Sequence, residues 1–366
     1  MTGRRSKPAL ETFQKRLLAW FHQNRRDLPW RRTRNAYRVW ISETMLQQTR
    51  AAAAIPFYRR FLRTFPSLQA LARARPDAVL RAWSGLGYYC RARNLHRAAK
   101  IILHRHGGRF PRELEEALAL AGVGAYTARA VLSIAYAAPL AALDGNVARV
   151  IARREAIEGD LRAPKRWKRL QALADAWLEH NAPGDWNQAM MELGATICTP
   201  RRPRCGACPV RPGCRGFELG IADRLPSRGV ERPAVRLSMA AAVPVDRKGR
   251  TLLARGADES AIFSGLWQFP ALEGGGSARE RLERYLAKAF GIHPKRWEPL
   301  PPIRHAVTFR EITLEGWLVQ VQDLAPAPGG LAGRARVVAL HRVTELAVSS
   351  ATRKLAESAI RQTQSR

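Results

Sequence analysis

The sequence has 366 residues, of which 46% are hydrophobic, enough for two domains that each bury a core. It carries 62 Lys and Arg against 30 Asp and Glu, a net charge of +32, and the first 110 residues hold 24 basic and 4 acidic side chains. This excess favours a polyanionic partner, because each neutralised phosphate releases counterions, although an arginine-rich proteome would also explain it. The composition argues against wholesale disorder, and we expect neither a signal peptide nor a membrane helix.

The first part of the chain has a helical pattern. Apolar residues recur at helical spacing from Phe13 to about Glu218, for example over Leu10–Gln23, Arg34–Thr49 and Ala53–Thr64. Prolines and glycines are predicted to break these segments at Pro29, Pro56, Pro66, Pro76, Gly85, Gly87 and Gly107. We therefore predict an all-α domain over residues 1–224.

Glu43 is one of the four acidic residues among the first 110 and lies in the helical segment Tyr37–Thr49, among bulky apolar residues. A carboxyl group buried in such company would have a raised pKa, which a general acid needs. The alternative is a solvated surface glutamate, the commoner role of a lone helical Glu.

The segment Leu120-Ala-Gly-Val-Gly124 lies between two helical stretches, Arg112–Ala119 and Ala125–Tyr136. Its glycines allow backbone N–H groups to approach a phosphate at the positive end of the second helix. The pattern predicts a helix–hairpin–helix near residues 112–136.

Asp144 follows twenty residues after Gly124 and directly precedes a helix that begins near Val147. An Asp in this position is a typical N-cap. A helix–hairpin–helix followed at this distance by an Asp also resembles the helix–hairpin–helix glycosylase superfamily, whose catalytic aspartate lies there. Both roles can hold at once.

Four of the five cysteines lie within 17 residues, in the pattern Cys198-x6-Cys205-x2-Cys208-x5-Cys214. In a chain without an export signal, such clustering indicates a metal rather than disulfides. Four thiolates on one loop suit a structural zinc or a four-iron, four-sulfur cluster. Cys90 has no partner in the sequence, and we expect it to be an ordinary small residue.

The composition and the predicted secondary structure change after the cysteines. Residues 225–234 are rich in Pro, Gly and Arg and have the composition of a linker. Beyond them, strands are predicted at Val235–Val245, Thr251–Arg255, Ile312–Val321 and Ala335–Ala339, with a helix at Ala278–Phe290. The sequence predicts a second, α+β domain over residues 235–366.

Several motifs resemble the MutY family of adenine DNA glycosylases: residues 28–31 (LPWR), 40–49 (WISETMLQQT), 85–96, 187–194 (NQAMMELG) and the cysteine loop at 198–214. The resemblance is close over residues 13–220. It implies a [4Fe-4S] cluster on Cys198, Cys205, Cys208 and Cys214. The stretch around Gly265–Pro270 resembles the family's C-terminal Nudix-like domain.

The resemblance implies roles for individual residues. Glu43 would protonate the adenine base, and Asp144 would stabilise the sugar cation. Tyr126 and Asn146 would support them, while Arg31 and Gln188 would contact the flipped adenine. Contacts to the DNA or to 8-oxoguanine would come from Gln48, Thr49, Leu86, Tyr88, Arg91, Gly122, Val123, Gly124, His305 and Thr308. Leu86 could equally be an ordinary packing residue.

Two departures concern the second domain. The helix that would carry a Nudix hydrolase's three magnesium-binding glutamates lacks them at the matching positions, so pyrophosphohydrolase activity is not expected. Phe309 occupies the position at which the family has a His that contacts the damaged base. This departure affects how strongly the protein is expected to distinguish 8-oxoguanine from guanine.

We expect a monofunctional glycosylase that excises adenine opposite 8-oxoguanine or guanine. Its partner would be double-stranded DNA, with no membrane, and it would be a monomer in the cytoplasm, associated with a bacterial nucleoid. A mismatch thymine or pyrimidine glycosylase on the same scaffold is one alternative. A non-catalytic iron–sulfur protein that only binds damaged DNA is the other.

Overall fold

The computed structural model describes residues 7–227, 233–255, 265–274, 278–307, 309–324 and 334–364. The chain divides into two compact units, which we call the helical unit and the sheet unit. The helical unit comprises Met1–Arg73 and Asn94–Glu231. The sheet unit comprises Ala74–Arg93 and Arg232–Arg366.

Over residues 7–227 the regular structure is helical, as predicted. The helices are α1 (Lys7–Asn24), α2 (Ala36–Leu46), α3 (Ala51–Thr64), α4 (Leu68–Arg73), α5 (Pro76–Trp83), α6 (Tyr89–Arg105), α7 (Leu114–Leu118), α8 (Ala125–Tyr136), α9 (Gly145–Arg154), α10 (Pro164–Ala176), α11 (Pro183–Thr196) and α12 (Arg215–Glu218). In the described part of the chain, no helix combines the length and apolarity that crossing a membrane requires.

Prolines begin helices more often than they end them in this unit. α10 and α11 start at Pro164 and Pro183, where the missing N–H would have no helical partner anyway. The predicted break at Pro56 is wrong, because this proline lies inside α3. Burial of Tyr58 and Phe61 on the same helix compensates for the lost hydrogen bond.

The core of the helical unit gathers around α9 and α11. Val147 and Ile151 of α9 and Leu193 of α11 belong to one buried cluster, together with Phe13 and Leu17 of α1. Burying an apolar side chain of this size contributes about 1.5–3 kcal/mol. This packing fixes the start of α9, where Asp144 lies.

The predicted helix–hairpin–helix is formed by α7, a turn and α8. Gly122 has φ +75°, and a Cβ at this position would lie 2.7 Å from the Cβ of Asn94. Gly124 differs, since its φ is −88° and a Cβ there would meet nothing within 4 Å. Only Gly122 is therefore required by the fold of the turn, whereas Gly124 leaves open space at the start of α8.

The second half of the chain forms a mixed sheet. Its strands are β1 (Val235–Val245), β2 (Arg250–Ala254), β3 (Ala271–Glu273), β4 (Arg296–Val307), β5 (Arg310–Gln320) and β6 (Ala335–Ala339). In the described residues their order is β4-β5-β1-β2-β6, and β3 also pairs with β1. β1 runs parallel to β5 and antiparallel to β2 and β3.

Two helices cover the two faces of this sheet. Successive residues of a strand point to opposite faces. Ala240 and Ala242 of β1 accordingly pack in a cluster with α13 (Ala278–Phe290). Ala241 and Val243 pack in a cluster with α14 (Ser350–Gln364). The result is a three-layer arrangement of helix, sheet and helix.

Residues 74–93 belong to the sheet unit although they lie early in the sequence. The hydroxyl groups of Ser84 and Tyr89 both donate to the carbonyl of Val348, at 3.1 and 3.0 Å. Arg255 forms an ion pair with Asp77 at 2.5 Å. The predicted domain limits, 1–224 and 235–366, do not anticipate this grouping, because the sequence shows only a helical segment there.

We predict that Gly122→Ala lowers the free energy of unfolding by about 2 kcal/mol, because alanine strains at positive φ and its Cβ would collide with Asn94. Gly124→Ala is the matched control, and it should cost at most about 1 kcal/mol, the loss of a favoured N-cap. Urea unfolding of both variants checks this. Equal losses would contradict the assignment of the turn's constraint to Gly122.

Candidate active site

A cavity of about 820 Å³ opens in the helical unit. Its volume lies within the range of about 300–1,000 Å³ that is usual for small-molecule sites. Residues far apart in the sequence meet on its walls, among them eight predicted site residues: Arg31, Glu43, Gln48, Thr49, Tyr126, Asp144, Asn146 and Gln188. The cavity therefore gathers all the residues expected to act on the base.

Glu43 lies on α2 and is only 4% exposed, so the alternative of a solvated surface glutamate is wrong. Its Oε2 accepts a hydrogen bond from the hydroxyl of Tyr126 at 2.6 Å. Burial raises the pKa of Glu43 to about 7, aided by the charge of Asp144 and opposed by the Tyr126 hydrogen bond and the charge of Arg31. Near neutral pH the carboxyl group is thus able to donate a proton.

Tyr126 is the second residue of α8, directly after the hairpin turn. Besides contacting Glu43, its hydroxyl lies 3.1 Å from the sulfur of Met191. Burial and the nearby charges of Glu43 and Asp144 raise the pKa of Tyr126 well above its usual value. The phenol consequently stays neutral and acts as a donor to Glu43.

Asp144 is the N-cap of α9, as the sequence predicts. Its Oδ1 accepts from the backbone N–H of Val147 at 2.7 Å, and its Oδ2 accepts from the Asn146 side chain at 2.9 Å. Burial raises the pKa of Asp144, while these two hydrogen bonds and the charge of Arg149 oppose that rise. The position at the positive end of a helix also favours the charged form.

Asn146 is held in turn by Arg149, a residue that the sequence analysis did not single out. The Arg149 Nη2 donates to the Asn146 Oδ1 at 2.9 Å and to the Gly194 carbonyl at 2.8 Å. Its Nε donates to the Cys198 carbonyl at 2.9 Å. One buried guanidinium therefore connects the start of α9 with the cysteine loop. The spacing of three residues between Asn146 and Arg149, which places both on one helix face, was the available signal.

Asn187, on α11, forms hydrogen bonds with the loop segment that precedes Asp144. Its Oδ1 accepts from the Ala142 N–H at 3.0 Å, and its Nδ2 donates to the Leu140 carbonyl and to the Ser133 hydroxyl, each at 2.8 Å. These bonds use the carbonyl oxygen and both N–H donors of the Asn187 amide, and the residue is only 2% exposed. The segment 140–142 is thereby fixed against α8 and α11.

Arg31 and Gln188 line the cavity from a 3₁₀ turn (Pro29–Arg32) and from α11. The Arg31 Nη2 lies 2.8 Å from the Oε2 of Glu192, a buried carboxylate whose contacts the sequence analysis missed. Gln188 donates to the Gly184 carbonyl at 3.3 Å. Glu192 falls inside the motif at residues 187–194, but nothing local in that motif indicates a partner 161 residues earlier.

The four clustered cysteines line one small cavity of about 30 Å³. Arg153, which is 1% exposed, places its Nη1 3.3 Å from the sulfur of Cys198. Among the described residues, no three His, Cys, Asp or Glu side chains come close enough together to hold a single metal ion. Four cysteine side chains around one space form a donor set suited to soft metal cations, and the buried guanidinium would offset part of the negative charge of the deprotonated sulfurs.

The predicted DNA-contacting residues of the helical unit lie at turns. Gln48 and Thr49 follow α2 on the rim of the cavity, and Gln48 adopts a left-handed conformation with φ 58°. Gly122, Val123 and Gly124 form the hairpin turn, in which Val123 is buried. Their contacts with DNA stay predictions.

Leu86, Tyr88 and Arg91 lie in the 74–93 segment of the sheet unit. Leu86 is 9% exposed, as its packing alternative requires, and Tyr88 has φ 48°. Arg91 is 8% exposed, and its guanidinium lies over the rings of Trp83 and Tyr88. Packing accounts for this position, and the predicted phosphate contact of Arg91 stays a prediction.

The predicted 8-oxoguanine contacts of the second domain are His305 and Thr308. His305 is half-buried on β4, and burial together with the charge of Lys354 lowers its pKa. Thr308 lies outside the described residues. Phe309, at the position where a His was expected, is 37% exposed, with the guanidinium of Arg310 over its ring.

Comparison with known proteins agrees with this geometry. Residues 41–179 match the HhH-GPD superfamily of base excision DNA repair proteins, and residues 240–358 match the NUDIX domain. The adenine DNA glycosylase of Mus musculus is 35% identical over 94% of this chain and 77% of its own length. The chain belongs to the adenine DNA glycosylase family. The Mycolicibacterium smegmatis member is 41% identical over 60% of this chain and 74% of its own length.

A solved structure supports the helical fold of this family member. A thermostable thymine-DNA glycosylase superposes with a TM-score of 0.53 and 28% identity, over 58% of this chain and 98% of its own. The predicted fold class is confirmed, namely a helical glycosylase domain followed by a Nudix-like domain. The chain is a base excision DNA repair glycosylase, so the alternative of a non-catalytic binding protein is set aside.

We predict that Arg149→Met lowers the free energy of unfolding of this glycosylase by about 2–4 kcal/mol, because three carbonyl acceptors lose a charged donor. Arg162→Met is the matched control. Its side chain is 73% exposed and pairs with the solvent-accessible carboxylate of Asp160, so this variant should lose little stability. Thermal or urea unfolding of the two variants decides, and similar losses would refute a connecting role for Arg149.

Proposed function

We propose that this enzyme hydrolyses the N-glycosidic bond of adenine paired with 8-oxoguanine or guanine in double-stranded DNA. The observation that carries the proposal is a pair of carboxyl groups, the buried Glu43 and the partly buried Asp144, that line one cavity. Burial raises the pKa of Glu43 to about 7, whereas Asp144 accepts hydrogen bonds that favour its charged form. Two carboxyl groups in opposite protonation states are the usual equipment for breaking a glycosidic bond.

The reaction follows from these two states. Adenine is a poor leaving group as an anion, so Glu43 donates its proton to N7 of the base. The bond between C1′ and N9 then breaks, its electrons go to the base, and neutral adenine leaves. The carboxylate of Asp144 stabilises the resulting oxocarbenium ion. Water adds to C1′, and the proton that it loses restores Glu43.

Tyr126 supports a monofunctional reaction. Members of the superfamily that also cut the strand form a Schiff base through a lysine at the matching position. A phenol cannot form one, and the Tyr126 hydroxyl is already hydrogen-bonded to Glu43. The proposed product is therefore an abasic site in an intact strand.

The adenine must leave the helix stack before it can reach the cavity. We assign Arg31 and Gln188, which line the cavity, to contact the extruded base. Gln48 and Thr49 at its rim, with Leu86 and Tyr88, are assigned to the duplex around the lesion. Unstacking a base step costs a few kcal/mol, which contacts with the distorted DNA repay.

The Nudix-like domain is proposed to read the damaged base rather than to hydrolyse nucleotides. Along α13 the stretch from Arg284 to Gly291 lacks the three glutamates that would bind magnesium. His305 and Thr308 are the proposed contacts to 8-oxoguanine. Phe309 cannot make the hydrogen bond of a histidine, which predicts weaker discrimination between 8-oxoguanine and guanine.

Cys198, Cys205, Cys208 and Cys214 are proposed to hold a [4Fe-4S] cluster. The shared cavity of their side chains and the neighbouring guanidinium of Arg153 support this assignment. When bound, the cluster would crosslink the loop and supply no proton or electron to the hydrolysis. Arg149 of α9 connects this loop to Asn146, and through it to Asp144, without taking part in bond breaking.

The test is single-turnover excision on duplexes that carry A opposite 8-oxoguanine, G, C or T, with a G·T duplex for the alternative of a thymine glycosylase. Release of adenine opposite 8-oxoguanine and G, with little opposite T, supports the proposal. Release of thymine from G·T in place of adenine would establish the alternative. Borohydride should trap no covalent adduct if the enzyme is monofunctional.

We predict that Glu43→Gln reduces the single-turnover rate by about 10²–10⁴-fold, because an amide cannot donate the proton. Duplex affinity, measured by fluorescence anisotropy, should change little. Glu158→Gln, at an exposed position of the same unit, is the control for loss of one carboxylate. An unchanged rate in Glu43→Gln would remove the general-acid role.

The pH dependence follows from the same residue. Glu43 acts as an acid only when protonated, and its pKa is about 7, so the rate should fall by up to about tenfold per pH unit above that value. Asp144 must be charged, and burial raises its pKa above the usual 3.8, so the rate should also fall on the acid side. A rate profile that stays flat from about pH 6 to about pH 9 would contradict this assignment.

A further inference from the structure

Glu192 is a buried carboxylate on α11 whose hydrogen-bonding capacity is fully used by two arginines. Its Oε1 accepts from the backbone N–H and the Nε of Arg26, at 3.1 and 2.8 Å. Its Oε2 accepts from the Nη2 of Arg26 at 2.7 Å and from the Nη2 of Arg31 at 2.8 Å. All three residues line the catalytic cavity.

We propose that Glu192 is a positioning residue for adenine excision, which fixes Arg26 and Arg31 as one wall of the cavity and balances their charge beside Glu43. The proposal rests on the proposed function, since it assigns Arg31 to the base and Glu43 to the proton. Glu192 acts through these two arginines, because their N–H donors already occupy both of its carboxylate oxygens.

The orientation of Arg31 supports this role. Its Nη2 is held by Glu192, its Nη1 donates to the Arg26 carbonyl at 3.2 Å, and its guanidinium lies 5.3 Å from the ring centre of Phe21. The Arg31 side chain is 10% exposed. A guanidinium is planar and carries five N–H donors, so two bonds and one stacking contact set the direction of the remaining donors.

The charge balance supports it independently. Glu192 would have a raised pKa through burial alone, but the hydrogen bonds from Arg26 and Arg31 lower it to about 2, so it is charged at any working pH. The groups that act on Glu43 are Tyr126 from α8, Asp144 from the start of α9 and Arg31 from the 3₁₀ turn. Arg31 lowers the pKa of Glu43, and Glu192 offsets that positive charge.

A purely structural role would explain the same ion pairs, since they connect the end of α1 and the 3₁₀ turn to α11. The two explanations differ in their effect on the pH profile. If the ion pairs contribute only to stability, their loss lowers the excision rate equally at every pH. Loss of a counter-charge beside Glu43 makes this acid stronger, so the alkaline limb of the profile moves to lower pH.

The experiment compares single-turnover adenine release by wild type, Glu192→Gln, Glu192→Asp and Glu158→Gln from about pH 5 to about pH 9. Glu192→Gln should move the alkaline limb down by about 0.5–1 pH unit. Glu192→Asp keeps the charge and should leave the limb near the wild-type position, even if its shorter reach lowers the rate. Glu158→Gln should match wild type throughout.

Arg26→Met provides a test of opposite sign; the Arg26 side chain is 43% exposed, and the backbone N–H of residue 26 and the Arg31 guanidinium still pair with Glu192 after the change. Without Arg26, the charge of Glu192 offsets that of Arg31 more fully, so the pKa of Glu43 should rise and the alkaline limb should move to higher pH. If the alkaline limb stays at the wild-type position in both Glu192→Gln and Arg26→Met, the proposal is overturned. Absence of adenine release by wild type would overturn the proposed function itself, which separates the two failures.

Discussion

The hydrogen bond between the backbone N–H of Val147 and the carboxylate of Asp144, at 2.7 Å, is the contact around which the catalytic geometry is arranged. It places a negative charge at the positive end of α9, where the helix dipole and unpaired N–H groups favour it. Asn146 donates to the second oxygen, Arg149 holds Asn146, and Asn187 holds the segment that enters the cap. These polar groups are buried or partly buried and would destabilise the fold if left unpaired. Catalysis and stability therefore depend on the same bonds.

Glu43 and Asp144 line the same cavity in different surroundings. Glu43 lies among apolar residues of α2 with one donor, Tyr126, so burial dominates and its pKa rises to about 7. Asp144 is partly buried and burial raises its pKa too, yet the two hydrogen bonds that it accepts in its own helix cap oppose that rise. Glu192 represents the opposite limit, in which two guanidiniums outweigh burial and lower the pKa to about 2. Glu43 and Glu192 are 4% and 1% exposed, so the number and charge of their hydrogen-bond donors, and not the depth of burial, set the opposite directions of their pKa shifts.

Local patterns in the sequence predict local structure well and distant pairing poorly. The bounds of α13, β1 and β6 agree with the sequence prediction, because their apolar periodicity is regular. β4 was missed because Pro301 and Pro302 argue against a strand. It lies at the sheet edge, where the register shifts at these prolines, and an edge strand tolerates missing N–H donors. Asp144 was found through its spacing from the hairpin, whereas the pairing of Glu192 with Arg31 joins residues whose separation in the chain carries no pattern.

The positive charge of this chain has two separate uses, and only one of them concerns DNA. Arg149, Arg153 and Arg154 of α9 are each less than 10% exposed and cannot contribute freely to a DNA-binding surface. Their guanidinium groups donate to carbonyls along residues 198–212. An irregular loop leaves its carbonyls without the partners that a helix or sheet would supply, and a guanidinium with five donors satisfies several at once. The arginines of α9 thus pair with loop carbonyls that regular secondary structure would otherwise satisfy. A lysine, with its single charged nitrogen, could not span the same set of acceptors.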